Sequence, residues 1–248
     1  KSMENGPKPY ISVIITAYNR KEYLLDAFKS AMNQTLPRDK YEIIVTKNFR
    51  DTKIDRYIEK HGGKLIFFEK GSYGEQLADA VKYAKGNVIC FLEDDDMFDR
   101  NKLKFVYDIF ARTPKLCYCH NGITYVDDKN RKINSERYGN IVTDTLIENN
   151  PEVKLNELSK VPAFNPSSIS IRKSVLLKNL LALRKINYGP DTFLFFIAVD
   201  SGLDIFATAK KLTRYRVHQS TSFPLGLDYK SFCMKQVQNS KNFLNDFN

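Results

Sequence analysis

Four consecutive acids, Glu93, Asp94, Asp95 and Asp96, offer the clearest chemistry in this sequence. They directly follow an apolar, β-prone run at residues 88–92, so they stand at the end of a predicted buried strand. Ligands of open α/β sheets bind beyond the carboxyl ends of such strands. Adjacent carboxylates repel one another unless a cation joins them, and clustered hard oxygen ligands suit Mg²⁺ or Mn²⁺. The alternative is a solvated acidic turn at the start of the next helix.

Strands and helices alternate in the first half of the chain, and this order decides where the acids stand. Hydrophobic periodicity predicts strands over residues 10–16, 41–46, 64–68 and 88–92, and amphipathic helices over residues 21–34, 52–60, 75–84 and 101–112. Asn19 is the predicted N-cap of the first helix. Such alternation is typical of a doubly wound parallel sheet that binds a nucleotide, so we expect an α/β fold.

The second half is less regular. Strands are predicted over residues 116–126, 129–134, 165–171, 204–208 and 213–218, and helices over residues 173–183 and 191–200. The polar stretch 141–158 stays unassigned, and the tail 229–248 is weakly amphipathic. The chain has 248 residues and no linker rich in Pro, Gly or Ser, which predicts a single domain.

Composition narrows the partners and the compartment. The formal net charge of +10 indicates acidic partners such as a nucleotide or an anionic membrane surface, whereas the lack of a concentrated basic arm argues against nucleic acid. The four irregularly spaced cysteines fit neither a zinc motif nor a disulfide framework, so we expect a reducing compartment. No apolar run approaches the length that spans a bilayer. We expect a cytoplasmic protein, and a peripheral position at the inner face of the membrane stays open.

A series of segments, in this order, resembles the family 2 glycosyltransferases of the GT-A fold. The segments are SVIITAYNR at residues 12–20, EIIV at 42–45, a Gly-bearing loop before an Ala-rich helix, FLEDDD at 91–96, GPDTFLFFIAVDSG at 189–202 and YRVHQSTS at 215–222. The resemblance implies a GT-A type α/β fold with a mainly parallel central sheet flanked by helices. It implies one catalytic domain over residues 1–228, with a nucleotide-binding half near 10–115, an acceptor half near 116–228 and a helical tail over 229–248.

The end of the first strand is where the resemblance places the nucleotide. It implies that Thr16 and Ala17 contact the nucleotide, that Tyr18 stacks on the base and that Arg20 meets the diphosphate. Two plainer readings stay open: Tyr18 also fits a core aromatic at a strand end, and Arg20 fits an exposed residue at a helix start.

The stretch after the second strand departs from the family pattern. The family usually has an acid pair here that contacts the base, whereas this chain has Lys47 and Asn48. Asn48 both donates and accepts hydrogen bonds, so it is the predicted base-contacting residue, with Asp51 as a compensating acid. The uracil preference associated with the family's acid is therefore open.

The family's DxD pattern maps onto Glu93, Asp94 and Asp95. The resemblance implies that Asp95 binds the metal and that Glu93 and Asp94 lie near the ribose or a metal-bound water. His218, at the end of an alternating strand, matches the family's YRVH element and is a second metal ligand or a donor to phosphate. The implied cofactor is Mn²⁺ or Mg²⁺.

Asp191 matches the acid of the family's short ED motif near the acceptor, with Pro190 in place of the usual preceding acid. Family members invert the anomeric centre, and a single displacement needs one carboxylate to take the proton of the acceptor hydroxyl. Asp191 is therefore the predicted general base. It also fits the N-cap of the following helix, and the two roles are compatible.

The resulting expectation is a metal-dependent, inverting glycosyltransferase. It would move a sugar from a nucleoside-diphosphate-sugar to a hydroxyl of a saccharide or lipid-linked acceptor, without binding nucleic acid. Two alternatives stay open. One is a sugar-phosphate nucleotidyltransferase, for which the sequence after the first strand lacks the Gly-rich, basic loop. The other is a module of the same fold that binds a nucleotide-sugar or glycan without turnover.

Overall fold

The structure, a computed structural model, describes residues 8–134, 143–148, 158, 160–218, 234, 238 and 241–246. The strands are β1 (Ile11–Ala17), β2 (Tyr41–Lys47), β3 (Gly63–Phe67), β4 (Val88–Glu93), β5 (Met97–Phe98), β6 (Leu116–Val126), β7 (Thr145–Ile147), β8 (Ile169–Arg172) and β9 (Asp204–Arg216). The helices are α1 (Leu24–Met32), α2 (Thr52–Lys60), α3 (Tyr73–Tyr83), α4 (Lys102–Arg112), α5 (Lys173–Lys178), α6 (Leu180–Leu183) and α7 (Pro190–Asp200). Single 3₁₀ turns span Arg38–Lys40 and Pro166–Ser168.

All these strands join one sheet, in the order β3-β2-β1-β4-β8-β6-β9-β5, with β7 on β9. Strands β1 to β4 pair in parallel, as the alternation of strand and helix predicts. Strand β8 joins β4 and β6 antiparallel, and β6 pairs with β9 in parallel. The α/β fold with helices around a central sheet is confirmed.

The core forms on both faces of this sheet because successive side chains of a strand point to opposite sides. In β1, Ile14 packs in one apolar cluster with helices α3 and α7, whereas Val13 and Ile15 pack in a second cluster with α1 and α4. Strands covered on both faces need continuous apolar runs, which explains the sequence of β1 and β4.

The first helix starts later than predicted, and Asn19 is not its N-cap. Helix α1 begins at Leu24 after Tyr23, which makes no side-chain capping bond. Asn19 instead has a positive φ of 54°. Its amide nitrogen donates to Asn48 Oδ1 at 2.8 Å, and Asn48 Nδ2 donates back to Asn19 Oδ1 at 2.8 Å. Asn tolerates this left-handed conformation better than most residues, so the loop after β1 uses it to turn.

Four predictions for the second half are wrong. The strand predicted over residues 165–171 begins only at Ile169, because Pro166–Ser168 form a 3₁₀ turn. Residues 129–134 form no strand: a turn closes on Asp127, whose Oδ1 accepts from the backbone of Lys129 and Arg131, and a single bridge joins Val126 to Lys132. The predicted helix 173–183 breaks at Asn179 into α5 and α6. The two short strands predicted at 204–208 and 213–218 are one strand, β9, with an irregularity opposite Gly122.

Within the described ranges, no helix is long and apolar enough to cross a membrane. The predicted helical tail and the unassigned stretch 141–158 lie largely outside the described residues.

Candidate active site

The acids stand at the carboxyl edge of the parallel strands because β1 and β4 end side by side. Thr16 is the register partner of Glu93, so the loop after β1 and the acid turn after β4 face each other. The side chains of Asp94, Asp95 and Asp96 are buried in this turn. The location that the sequence predicts for the acids is therefore the location that the structure gives them.

Arg20 reaches across from the loop after β1 and pairs with two of the acids. Its Nη2 lies 2.5 Å from Asp94 Oδ1 and 2.6 Å from Asp95 Oδ2, and its Nε donates to Asp94 Oδ2 at 3.1 Å. His218 Nε2 lies 3.1 Å from the same Asp95 Oδ2 and 3.4 Å from Arg20 Nη1. Arg20, Asp95 and His218, far apart in sequence, thus form one contact group.

Arg216 holds the acid turn in place, although no role was predicted for it from the sequence. Its side chain is fully buried. Its amide nitrogen donates to Asp96 Oδ1 at 3.0 Å, its Nε donates to the backbone oxygen of Asp95 at 2.9 Å, and its Nη2 lies 3.1 Å from Asp26 Oδ2. The guanidinium therefore compensates part of the negative charge and holds the backbone of the turn in place.

The acids shift one another's protonation. Burial, together with neighbouring carboxylates, raises the pKa of Glu93 and of Asp96 well above their ordinary values. Burial raises the pKa of Asp94 to about 6, although the hydrogen bond from Arg20 acts in the opposite direction. Clustered, desolvated carboxylates of this kind gain from a bound cation, since a positive charge favours their ionised forms.

The donor set of this cluster fits a hard divalent cation. Ligand atoms of Glu93, Asp95 and Asp96 lie within 4.8 Å of one another. Asp96 Oδ2 is buried and accepts no hydrogen bond within the described ranges, so a ligand position exists that the protein does not use. Carboxylate oxygens suit Mg²⁺ and Mn²⁺. Of the two predicted metal ligands, Asp95 belongs to this cluster, and His218 contacts it through Asp95.

The residues predicted to contact the nucleotide lie at the ends of β1 and β2. Tyr18 is 49% exposed, so its ring is available for stacking and is not a core aromatic. Asn48 is held by its reciprocal bonds with Asn19. Lys47 is directed away from the cleft: it is buried, pairs with Asp55 at 2.7 Å and donates to the backbone oxygen of Phe49.

Two further predicted residues have other contacts. Ala17 is fully buried and pairs with Lys47 in the register of β1 and β2. Asp51 is the N-cap of α2, where its Oδ1 accepts from the backbone of Lys53 and Ile54, and it pairs with Lys21. The carboxylate of Asp51 is thus engaged as a helix cap, and its contact with the base stays a prediction.

Tyr73 brings a hydroxyl into the cleft that the sequence analysis missed. Its hydroxyl oxygen lies 3.5 Å from Thr16 Oγ1. Burial raises the pKa of this hydroxyl well above its ordinary value, and the charges of Glu93, Asp191 and Asp94 raise it further. The capping box of Ser72 and Glu75 starts helix α3 at Tyr73, and this S-x-x-E pattern was the available signal.

Asp191 lies in the first turn of α7 and is not its N-cap, which is Gly189 in a left-handed conformation. Asp191 Oδ2 accepts from the amide of Asn165 at 2.9 Å, and Oδ1 accepts from that of Thr192 at 2.9 Å. Burial raises the pKa of Asp191, a direction that suits proton acceptance nearer neutral pH. Through Asn165, which Asp191 Oδ2 binds, Asp191 is also connected to the turn that contacts Glu93.

The turn that carries Asn165 links Asp191 to the acids. Asn165 has a φ of 67°, and its side chain accepts from the amide of Ser167. Ser167 Oγ in turn accepts from the amide of Glu93 at 3.0 Å. Helix α7, which carries Asp191, and the acid turn are thereby joined through one short segment.

Comparisons with known proteins agree with this geometry. The family described as "Glycosyl transferase family 2" matches residues 12–180. An uncharacterised glycosyltransferase of Rickettsia typhi is 29% identical over 135 residues, which is 52% of this chain and 41% of that protein. The poly(ribitol-phosphate) beta-glucosyltransferase of Bacillus spizizenii is 33% identical over 93 residues, which is 35% of this chain and 15% of that protein. The chain thus spans less than half the length of these curated relatives.

A solved structure shows the same fold. The crystal structure of S. aureus TarS 1-349 in complex with UDP-GlcNAc superposes with a TM-score of 0.66 at 16% identity, over 96% of this chain and 72% of that chain. The family match over more than half of the sequence decides the assignment. This chain belongs to glycosyltransferase family 2 and has the GT-A fold.

Proposed function

We propose that this chain is the catalytic domain of a metal-dependent, inverting glycosyltransferase that moves a sugar from a UDP-sugar to a hydroxyl group of a polyol-phosphate polymer. The observation that carries the proposal is the chain of hydrogen bonds from Asp191 through Asn165 and Ser167 to Glu93. It connects Asp191 to the acid turn, Glu93 to Asp96, at the carboxyl edge of β1 and β4. The donor half is proposed at residues 10–115 and the acceptor half at residues 116–228.

The donor and acceptor follow from three supports. TarS, which shares the fold, has been solved with UDP-GlcNAc and with UDP. The relatives from Bacillus spizizenii and Staphylococcus aureus are named as poly(ribitol-phosphate) transferases. The net charge of +10 suits a polyanionic acceptor.

The residues of the cleft divide the reaction between them. Asp191 accepts the proton of the acceptor hydroxyl, whose oxygen forms the new bond to the anomeric carbon from the face opposite the diphosphate. The bond from that carbon to the diphosphate oxygen breaks, and the electron pair leaves with the nucleoside diphosphate. Glu93, Asp95 and Asp96 would hold Mn²⁺ or Mg²⁺, which as a Lewis acid neutralises the leaving group. Tyr18 and Asn48 contact the base.

The test replaces Asp191 by Asn and measures UDP release from UDP-sugars with Mn²⁺, with and without poly(ribitol phosphate). Loss of the proton acceptor lowers turnover by a factor on the order of 10² or more, while UDP binding is retained. Asp200→Asn is the matched control, because Asp200 is exposed at the other end of α7 and keeps full activity.

Two outcomes would contradict the proposal. Equal turnover of the Asp191→Asn variant and the parent would remove Asp191 from the reaction. A parent protein that binds UDP-sugars without any turnover would instead indicate a binding module.

A thermal-shift series with UDP-, GDP-, ADP- and dTDP-sugars identifies the nucleotide base of the donor, since a ligand that prefers the native state raises the unfolding temperature.

A further inference from the structure

Arg20 occupies an unusual position for a residue expected to meet only a diphosphate. It makes a two-pronged pair with Asp94 and a contact of 2.6 Å with Asp95 Oδ2. That same Oδ2 lies 3.1 Å from His218 Nε2. The guanidinium therefore binds Asp95, the predicted metal ligand that belongs to the acid cluster.

A guanidinium and a divalent ion compete for such an oxygen. Both are cations, and two positive charges within about 4 Å of each other repel by several kcal/mol where solvent screening is reduced. An incoming divalent ion gains the full use of Asp95 only when Arg20 releases it. The competing cation must then find another anion, and the anion that binds together with the metal in the proposed reaction is the diphosphate of the donor.

The two arginines of the site differ in their freedom to move. The Arg216 side chain is 1% exposed, and it binds the carboxylate of Asp26 and the backbone oxygens of Asp95 and Asp128. The Arg20 side chain is 27% exposed and follows the loop that turns at Asn19. Arg20 can therefore exchange partners at the cleft surface, whereas Arg216 stays in place.

We propose that Arg20 couples metal binding to donor binding: its guanidinium holds Asp94 and Asp95 until a nucleoside diphosphate takes it over, and the divalent ion then gains the carboxylate oxygens. The inference rests on the metal dependence proposed above. It makes metal and nucleotide binding mutually reinforcing, and by linkage each ligand raises the affinity of the other by the same factor.

The experiment measures Mn²⁺ affinity by titration calorimetry, with and without saturating UDP, for the parent and for Arg20→Gln. The parent is expected to bind Mn²⁺ at least about tenfold more tightly when UDP is present. The variant is expected to bind Mn²⁺ alone at least about tenfold more tightly than the parent, because the competing charge is gone. Its further gain from UDP is expected to be markedly smaller.

Arg214→Gln is the matched control. Arg214 is an exposed arginine of β9, paired in register with Met97 beside the acid turn, and its Nη1 donates to Asn130 at 3.4 Å. The substitution removes the same charge from the neighbourhood without touching the acids, so its Mn²⁺ affinity is expected to stay within about twofold of the parent's. Circular dichroism verifies that both variants are folded.

Several results would overturn the coupling. One is an Arg20→Gln variant that binds Mn²⁺ alone as weakly as the parent. Another is an equal gain in Arg214→Gln, which would assign the effect to general electrostatics. A parent whose Mn²⁺ affinity ignores UDP removes the coupling but keeps metal dependence. If the parent binds no Mn²⁺ even with UDP, both the coupling and the proposed metal dependence fail.

Discussion

Tyr73 is the side chain that most changes the picture of the donor pocket. Its hydroxyl lies 3.5 Å from Thr16 Oγ1, within reach of the charges of Glu93 and Asp191. It is therefore positioned at the end of β1, beside the proposed donor site. Since burial keeps this hydroxyl protonated, it can donate a hydrogen bond to the sugar of the donor.

We expect Tyr73→Phe to raise the KM for the nucleotide-sugar about three- to tenfold, the usual value of one neutral hydrogen bond. The Kd for UDP alone should change little, because the contact that we predict for this hydroxyl is with the sugar of the donor. Steady-state kinetics and UDP titration separate the two effects. Tyr83→Phe is the control, because Tyr83 is 67% exposed at the end of α3. An equal loss of UDP and UDP-sugar affinity would place Tyr73 at the nucleotide instead.

The position of a single residue could be predicted from the sequence where the residue directly follows the end of a strand. The acid turn follows β4 directly, so the hydrophobic run before it was sufficient to place Glu93 to Asp96 at the sheet edge. Arg216 could not be assigned in this way. Its partners Asp95 and Asp96 lie 121 and 120 residues earlier, and only the pairing of β9 with β5 and β6 brings them together.

At the scale of elements, the docking of α3 depends on one residue without a side chain. A Cβ on Gly74 would lie 2.4 Å from the backbone oxygen of Ile186 and 2.5 Å from that of Leu183. The start of α3 therefore packs directly on the backbone around α6. This contact sets the position of Tyr73, the neighbouring residue.

We expect Gly74→Ala to lower the free energy of unfolding by about 1–3 kcal/mol, since backbone atoms must move to admit the methyl group. Urea denaturation measures the loss. Gly202→Ala is the comparison: Gly202 has a φ of 68° but no atom within 4 Å of a Cβ, so only the conformational strain of about 1–2 kcal/mol remains. Weaker UDP-sugar binding in folded Gly74→Ala would follow from displacement of Tyr73. An unchanged unfolding midpoint for Gly74→Ala would contradict the close packing.

Helices and strands were predicted well where the hydrophobic periodicity extends over many residues. They were predicted less well where a turn determines whether a strand forms or ends. The strand–helix alternation up to α4 is found nearly as expected. The predicted strand at residues 129–134 failed because Asp127 binds the backbone of its own turn, a local competitor of sheet pairing. The stretch of β9 at residues 209–212 looked like a break because paired lysines interrupt the apolar pattern, yet the strand continues past them.

For the molecule as a whole, His120 makes stability depend on pH. His120 is buried in β6, its Nε2 donates to the backbone oxygen of Phe164 at 2.6 Å, and within the described part of the chain its Nδ1 has no partner. Burial lowers the pKa of His120 from 6.5 to about 4. Between these values the unfolded chain binds a proton that the folded chain refuses, so stability falls as the pH falls.

We expect this residue to remove about 3 kcal/mol of stability between pH 7 and pH 4. The raised pKa values of Glu93, Asp94 and Asp96 act in the opposite sense, because the folded state takes up their protons first. The difference between the parent and His120→Gln isolates the histidine, since the amide can still donate to Phe164. Urea denaturation across this range gives the slopes. Parallel slopes for the two proteins would contradict the assignment.

The irregularity in β9 has a consequence for how this fold can vary. The register moves from Asn121 opposite Thr208 to Gly122 opposite Lys211, so Ala209 and Lys210 have no register partner on β6. A Cβ on Gly122 would lie 2.8 Å from the backbone oxygen of Ala209, so the unpaired residues of β9 pack directly against the backbone of Gly122. The register also skips Leu212, because Ile123 lies opposite Thr213. A change of chain length within residues 209–212 therefore falls where the pairing is already irregular, whereas a single insertion after Thr213 would turn Arg216 toward the opposite layer. The two regularly paired parts of β9, before and after residues 209–212, can therefore vary in sequence independently of each other.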